Sequence, residues 1–184
     1  MRKVIHLSAL LVPLFSELTS KFIVVATLAI ITIVYTLTEV LRLKGQRLPI
    51  ITTFTLKMSR REERTSFIIR PTYLAIGIIL ALVLYPSTIA YSAICIGAIG
   101  DPVAAVVGGR VGRRRIIRRK TVEGFVAGLT ASFLAVSLLV SPLIALVGAV
   151  GGMLMELLDV PDDNLTMPIV AGALMTLAIR TLHW

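Results

Sequence analysis

Residues 22–35 read FIVVATLAIITIVY, and residues 73–84 read YLAIGIILALVL. Neither block carries a charge, and neither has the polar stripe with which a soluble helix wets one face. Apolar blocks of this kind belong in a bilayer. The rest of the chain agrees. Of its 184 residues, 57% are hydrophobic and 16% charged, against about half and about a quarter in soluble domains. Mean hydropathy is +0.92. The length suits one membrane-embedded domain over residues 1–184, with no separate soluble domain.

Breakers divide the remainder. A first helix is expected over 3–18 and a second over 22–43, followed by a basic loop with Gly45, Pro49 and an interfacial stretch at 50–58. Residues 71–99 are apolar apart from hydroxyls and are interrupted at Tyr85-Pro86-Ser87. A loop over 100–120 then leads to a helix over 122–140, a break at Ser141-Pro142 and a helix over 143–158. An acidic loop over 159–164 precedes a last helix over 165–182. Arg2 and Lys3 before an apolar run resemble a signal peptide, but Pro13 and Ser16-Glu17-Leu18 replace a cleavage site, so the first helix is read as uncleaved.

Charge placement gives the topology. The net charge is +9, and 15 of the 19 Lys and Arg residues fall within 42–70 and 110–120. Lying between apolar blocks, both stretches read as cytoplasmic loops. Their scarcity of aromatics leaves no platform for bases, so nucleic acid is not an expected partner. Two cytoplasmic loops must be joined by an even number of crossings, which makes 71–99 a hairpin broken at Pro86. Each arm then has about 15 residues, roughly 22 Å, short of the roughly 30 Å hydrocarbon core. The expected fold is an all-α polytopic membrane bundle of about seven transmembrane helices, N-terminus inside. Both 100–120 and 159–164 come out cytoplasmic. Cys95 stands alone, which rules out an intrachain disulfide. His183 and Trp184 read as an interfacial anchor at the outer end.

The chemistry-bearing residues sit in those two loops. Asp101 directly follows an apolar run, and an ionisable group at that depth is a functional hypothesis by default. Gly108, Gly109 and Gly112 would let backbone amides approach an anion, amid Arg110 and six further cations ending at Lys120. A carboxylate for a divalent metal, glycines and cations together suit a nucleoside triphosphate. The GxxxxGK[ST] spacing of a P-loop is absent. The plainer account makes Asp101 a helix cap, the glycines helix contacts and the arginines a positive-inside loop. Glu156 and Asp162-Asp163-Asn164 supply a second acidic group, and the plainer account there is an N-cap at Asp163 or Asn164. His6 stands in an apolar helix as a packing residue or a participant. Glu39 and Arg42, three apart, suit a helix-face ion pair.

Taken together these residues resemble the CTP-dependent lipid kinases: dolichol kinase, phytol kinase and the CTP-using diacylglycerol kinase of fungi. The likeness lies in Gly100-Asp101, Ala104, Ala105, Gly108, Arg110 and Gly112, then Lys120-Thr121-Val122-Glu123-Gly124. It extends to Arg2-Lys3 with His6, Glu39 with Arg42, and Glu156 followed by Asp162-Asp163-Asn164-Leu165-Thr166 and Pro168. The resemblance implies transfer of the γ-phosphoryl group of CTP to a membrane lipid alcohol, with Mg²⁺, at the cytoplasmic face of a plasma or inner membrane. It implies catalytic roles for Asp101, Lys120, Glu156 and Asp163, with Asp101, Glu156 and Asp163 as metal ligands. Gly108, Gly109, Arg110, Gly112, Thr121 and Asn164 would bind the nucleotide; His6, Glu39 and Arg42 would face the lipid. Partners are CTP, the lipid alcohol and the bilayer, and homo-oligomerisation is left open. A cytidylyltransferase making a CDP-lipid, or a transporter or lipid-binding scaffold, are the alternatives.

Overall fold

The structure, a computed structural model, describes residues 6–46, 66–118, 120–158 and 162–182. The expected interfacial stretch at 50–58, Arg119, Asp159 and the terminal His183 and Trp184 lie outside the described residues. The described residues form seven helices and no strand: α1 (Leu11–Leu18), α2 (Lys21–Leu43), α3 (Arg70–Leu84), α4 (Ser87–Val111), α5 (Val122–Val136), α6 (Pro142–Leu158) and α7 (Asp163–Thr181). Of these α2, α4 and α7 are long and apolar enough to cross a membrane, while the other four are shorter apolar helices. The all-helical architecture is as the apolar blocks predict.

The longest helix is also the most buried. Helix α4 takes part in both apolar cores. One gathers Ile96, Val136, Met153, Met167 and Met175 from α4, α5, α6 and α7. The other gathers Ala9, Val24, Ile78, Leu82 and Ile94 around α1, α2, α3 and α4. By contrast α2 buries only Val24 and Glu39, and Phe22, Ile30, Ile33 and Leu37 are exposed. Such an apolar outer face suits hydrocarbon and not water.

Three boundaries depart from the expected ones. The break at Tyr85-Pro86 is present, but its arms are unequal: α3 has 15 residues and α4 has 25. Helix α4 does not stop at Gly100 but runs on through Asp101 and Pro102 to Val111. Proline removes one helix donor, and in a packed bundle neighbouring helices compensate for that loss. Helix α5 ends at Val136 instead of residue 140. Helix α7 starts at Asp163, so Asp163 and Asn164 belong to its first turn and not to a loop.

Close approach of α4 and α5 explains the continuation. Gly100, Ala104 and Gly108 recur every four residues on α4, as do Gly124, Gly128 and Ser132 on α5. A Cβ on Gly124 would stand 2.7 Å from the Ala104 carbonyl oxygen and 3.0 Å from Gly108 Cα. One on Gly128 would stand 2.7 Å from the Gly100 carbonyl oxygen. Small residues at this spacing let two helix backbones touch, as in membrane helix pairs. The turns are tied as well. Tyr91 Oη donates to Ser16 Oγ at 2.9 Å, and Lys21 Nζ donates to the Tyr85 carbonyl at 2.6 Å. Tyr85 Oη in turn donates to the Ile169 carbonyl at 2.6 Å.

Candidate active site

Three helices each deliver one carboxylate to the same point. Asp101 comes from the middle of α4, Glu156 from the last turn of α6, and Asp163 from the first turn of α7. One oxygen from each lies within 4.8 Å of the others. Glu156 is 2% exposed and Asp163 is also buried. Burying like charges together is costly unless something compensates them.

Lys120 is the compensation. Its Nζ donates to Glu156 Oε1 and lies 3.5 Å from Asp163 Oδ2. The hairpin that carries it is built by the backbone. Val122 N donates to the Arg114 carbonyl at 2.9 Å, and Ile116 N to the Lys120 carbonyl at 2.9 Å. The Glu123 carboxylate accepts from the amides of Arg113 at 3.1 Å and Arg114 at 3.3 Å. Arg118 turns the tip with a left-handed φ of 51°. Burial by itself lowers the Lys120 pKa, but the bond to Glu156 and the charges of Glu156, Asp163 and Asp101 outweigh it, so the net shift is upward. Lys120 therefore stays an ammonium at neutral pH. Formally, three carboxylates against one ammonium leave two negative charges.

His6 closes the group on the α1 side, with Nδ1 3.7 Å from Asp101 Oδ2. Of the two sequence readings of His6, the structure favours contact with the acidic group. Asp101, fifteenth of the 25 residues of α4, is not a cap. Ten helical residues follow it, about 15 Å of helix, so the cluster lies well inside the end of α4.

Other candidates have structural occupations. Gly108 and Gly112 do not present amides to a ligand: the Gly112 amide donates to the Gly108 carbonyl at 3.2 Å. A Cβ on either would strike Thr121 Oγ1, at 2.8 Å and 2.6 Å. Thr121 caps α5, its hydroxyl accepting from Gly124 N at 3.2 Å. Gly109 faces open space and Arg110 is exposed near the end of α4. Glu39 and Arg42 form the expected ion pair, with Arg42 Nε 2.9 Å from Glu39 Oε2. The pair also grips the segment leading into α3, since Ile68 N donates to Glu39 Oε1 at 2.9 Å and Arg42 donates to the Ser66 carbonyl at 2.6 Å. That is a clamp and not a lipid-facing site.

Asp162 is the N-cap of α7, where Asp163 or Asn164 was expected. Its Oδ1 accepts from Asn164 N at 3.1 Å, and its Oδ2 lies 3.8 Å from Arg70 Nε. Nothing in the sequence pairs Arg70 with Asp162; Arg70 reads there only as one loop cation. Among the described residues, all Lys and Arg except Lys21 and Arg180 lie at the end of the bundle that carries Lys120. Compared with protein-family models, with curated proteins and with solved structures, the chain matches none.

Proposed function

We propose that this protein is an integral membrane kinase that moves the γ-phosphoryl group of CTP to a lipid alcohol, with its basic end in the cytoplasm. The observation that carries the reading is the convergence of Asp101, Glu156 and Asp163 within 4.8 Å, with Lys120 bonded into it. Their resemblance to the CTP-dependent lipid kinases supplies the nucleotide and the acceptor class.

The donor set fits Mg²⁺. All three groups offer hard carboxylate oxygens, and one divalent cation matches the formal charge they leave. Bound there by Asp101, Glu156 and Asp163, Mg²⁺ would neutralise charge on the β- and γ-phosphates. The protein groups do the rest. Lys120 holds a γ-phosphoryl oxygen and balances its charge, as positioned cations do in phosphoryl transfer. Asp101, steadied by His6, orients the acceptor hydroxyl and takes its proton. The alcohol oxygen bonds to the γ-phosphorus as the bond to the bridging oxygen breaks, and CDP leaves. Arg110 lies nine residues along α4 from Asp101, about 14 Å. It suits capture of the nucleotide's far end and not the transferred group.

A second reading keeps one supporting observation. Asp101 is mid-helix and two of the carboxylates are buried, which also suits a cation or proton transporter. Purified protein given labelled CTP and a panel of lipid alcohols decides. Phosphorylated lipid with CDP, and CTP preferred to ATP, is the expected result. Pyrophosphate with a CDP-lipid makes it a cytidylyltransferase. No turnover together with cation flux in proteoliposomes makes it a transporter.

A further inference from the structure

Asn164 sits beside the acidic group and is 7% exposed. Its Nδ2 donates to Asp162 Oδ1, which fixes the orientation of the amide. Its Oδ1 is buried and has no hydrogen-bond partner. Unpaired buried acceptors are rare and costly, so each requires an explanation. Asn164 lines a cleft of about 300 Å³ between α1, α3, α4 and α7. Leu74, Ile78, Ile94 and Met167 make its walls, while Asp163 and His6 join Asn164 as its polar members. Asp163 thus belongs to both the cleft and the carboxylate group.

We propose that this cleft holds the hydrocarbon chain of the acceptor, and that Asn164 Oδ1 accepts a hydrogen bond from its terminal hydroxyl beside Asp163. The inference rests on the lipid kinase reading and deepens it. An amide oxygen accepts and cannot donate, so Asn164 Oδ1 has nothing to offer a phosphate oxygen; a hydroxyl supplies the missing proton. The aliphatic walls give a base no aromatic surface to stack on. The volume is at the small end for ligand sites, which suits one slender chain. This moves Asn164 from the nucleotide to the acceptor. Gly97 is the selectivity position, because it lines the cleft and a Cβ there meets nothing within 4 Å.

The test uses the full chain in detergent, without nucleotide, and measures binding of hexadecanol and of its methyl ether. The ether keeps the chain and removes the donor. Wild type should bind the alcohol about tenfold more tightly than the ether, as for one hydrogen bond to a buried acceptor. Asn164→Leu should bind the two alike. Gly97→Leu, whose side chain enters open space, should lose both by tenfold or more. Equal binding of alcohol and ether by the wild type overturns the proposal, as does undiminished binding by Gly97→Leu. Because Gly97→Leu leaves the Asp162 cap untouched, it decides even where Asn164→Leu fails to fold. Binding as expected with no turnover of CTP would remove the kinase reading and leave the cleft standing. Turnover of CTP that is insensitive to Gly97→Leu would do the reverse.

Discussion

Asp101 carries a charge where a helix has no structural use for one. In the cluster it faces two further carboxylates, so removing its charge relieves repulsion while damaging the site. Asp101→Asn should therefore melt at a higher temperature than wild type in chelator, yet turn over about 10²–10³ times more slowly. A mutant with near-normal turnover would strip Asp101 of its proposed role. Lys120 has the opposite sign. Removing one partner of a buried ion pair costs roughly 3–5 kcal/mol, and since its side chain is a quarter exposed, Lys120→Met should lose about 3 kcal/mol. A lysine pKa raised in the folded state contributes stability fully below its unfolded value, about 10.4, and loses it as pH rises through the folded value. The stability gap between wild type and Lys120→Met should thus be flat from about pH 6 to 9 and narrow above about 10.4. Melting curves across that range check it, and a gap that already closes near neutrality would contradict the ion pair. The residue types at this site were legible in the sequence, as carboxylates and a lysine placed against apolar runs. Their division of labour was not. Asp162 caps a helix and its neighbour Asp163 joins the cluster, a difference fixed by where α7 begins and by the partners α6 and the hairpin bring.

Helices α4 and α5 meet through their smallest residues, and this contact sets the register that brings Lys120 to Glu156. A methyl on Gly124 would press on the Ala104 carbonyl and Gly108 Cα, backbone atoms that cannot turn aside. Gly124→Ala should cost about 1–3 kcal/mol. Gly109 lies in the same helix but faces open space, so Gly109→Ala should gain about 0.5–1 kcal/mol from lost backbone freedom in the unfolded chain. Unfolding in detergent measures both, and equal losses at the two positions would contradict the packing. Both patterns of four were present in the sequence. They were read as a phosphate-binding loop because Gly, Asp and Pro in close succession signal a turn in water. Between membrane helices small residues signal contact instead. The break at Pro86 was legible for the opposite reason, since Tyr85-Pro86 ends α3 and nothing packs across to carry the helix on.

At the scale of the molecule, charge and helix direction together yield the topology prediction. Counting crossings identified which loops share a side but not how deep each lies, so the recess of the carboxylates below the end of α4 was hidden. The structure adds a constraint independent of any membrane: Lys120 and Asp163 are 3.5 Å apart, so the hairpin and the start of α7 share one end. Lys21, bonded to the Tyr85 carbonyl, and Ser141, in the turn between α5 and α6, belong to the other. The first end holds almost all the described basic residues, and the positive-inside rule assigns it to the cytoplasm. Cytosolic CTP requires the same assignment. Single cysteines at Arg114 and Asp162 should therefore react with an impermeant thiol reagent only from the cytoplasmic side, and those at Lys21 and Ser141 only from outside. Native Cys95 lies in the middle of α4, with its thiol pushed up to about 11 by burial, so it should stay silent. Asp162 doubles as a cap, so Arg114 is the cleaner reporter of that end. Labelling of Arg114 from outside would invert the molecule, remove the site from cytosolic nucleotide and end the kinase proposal even if every contact in the bundle were right. Arg114 and Asp162 on opposite faces would contradict the bundle itself.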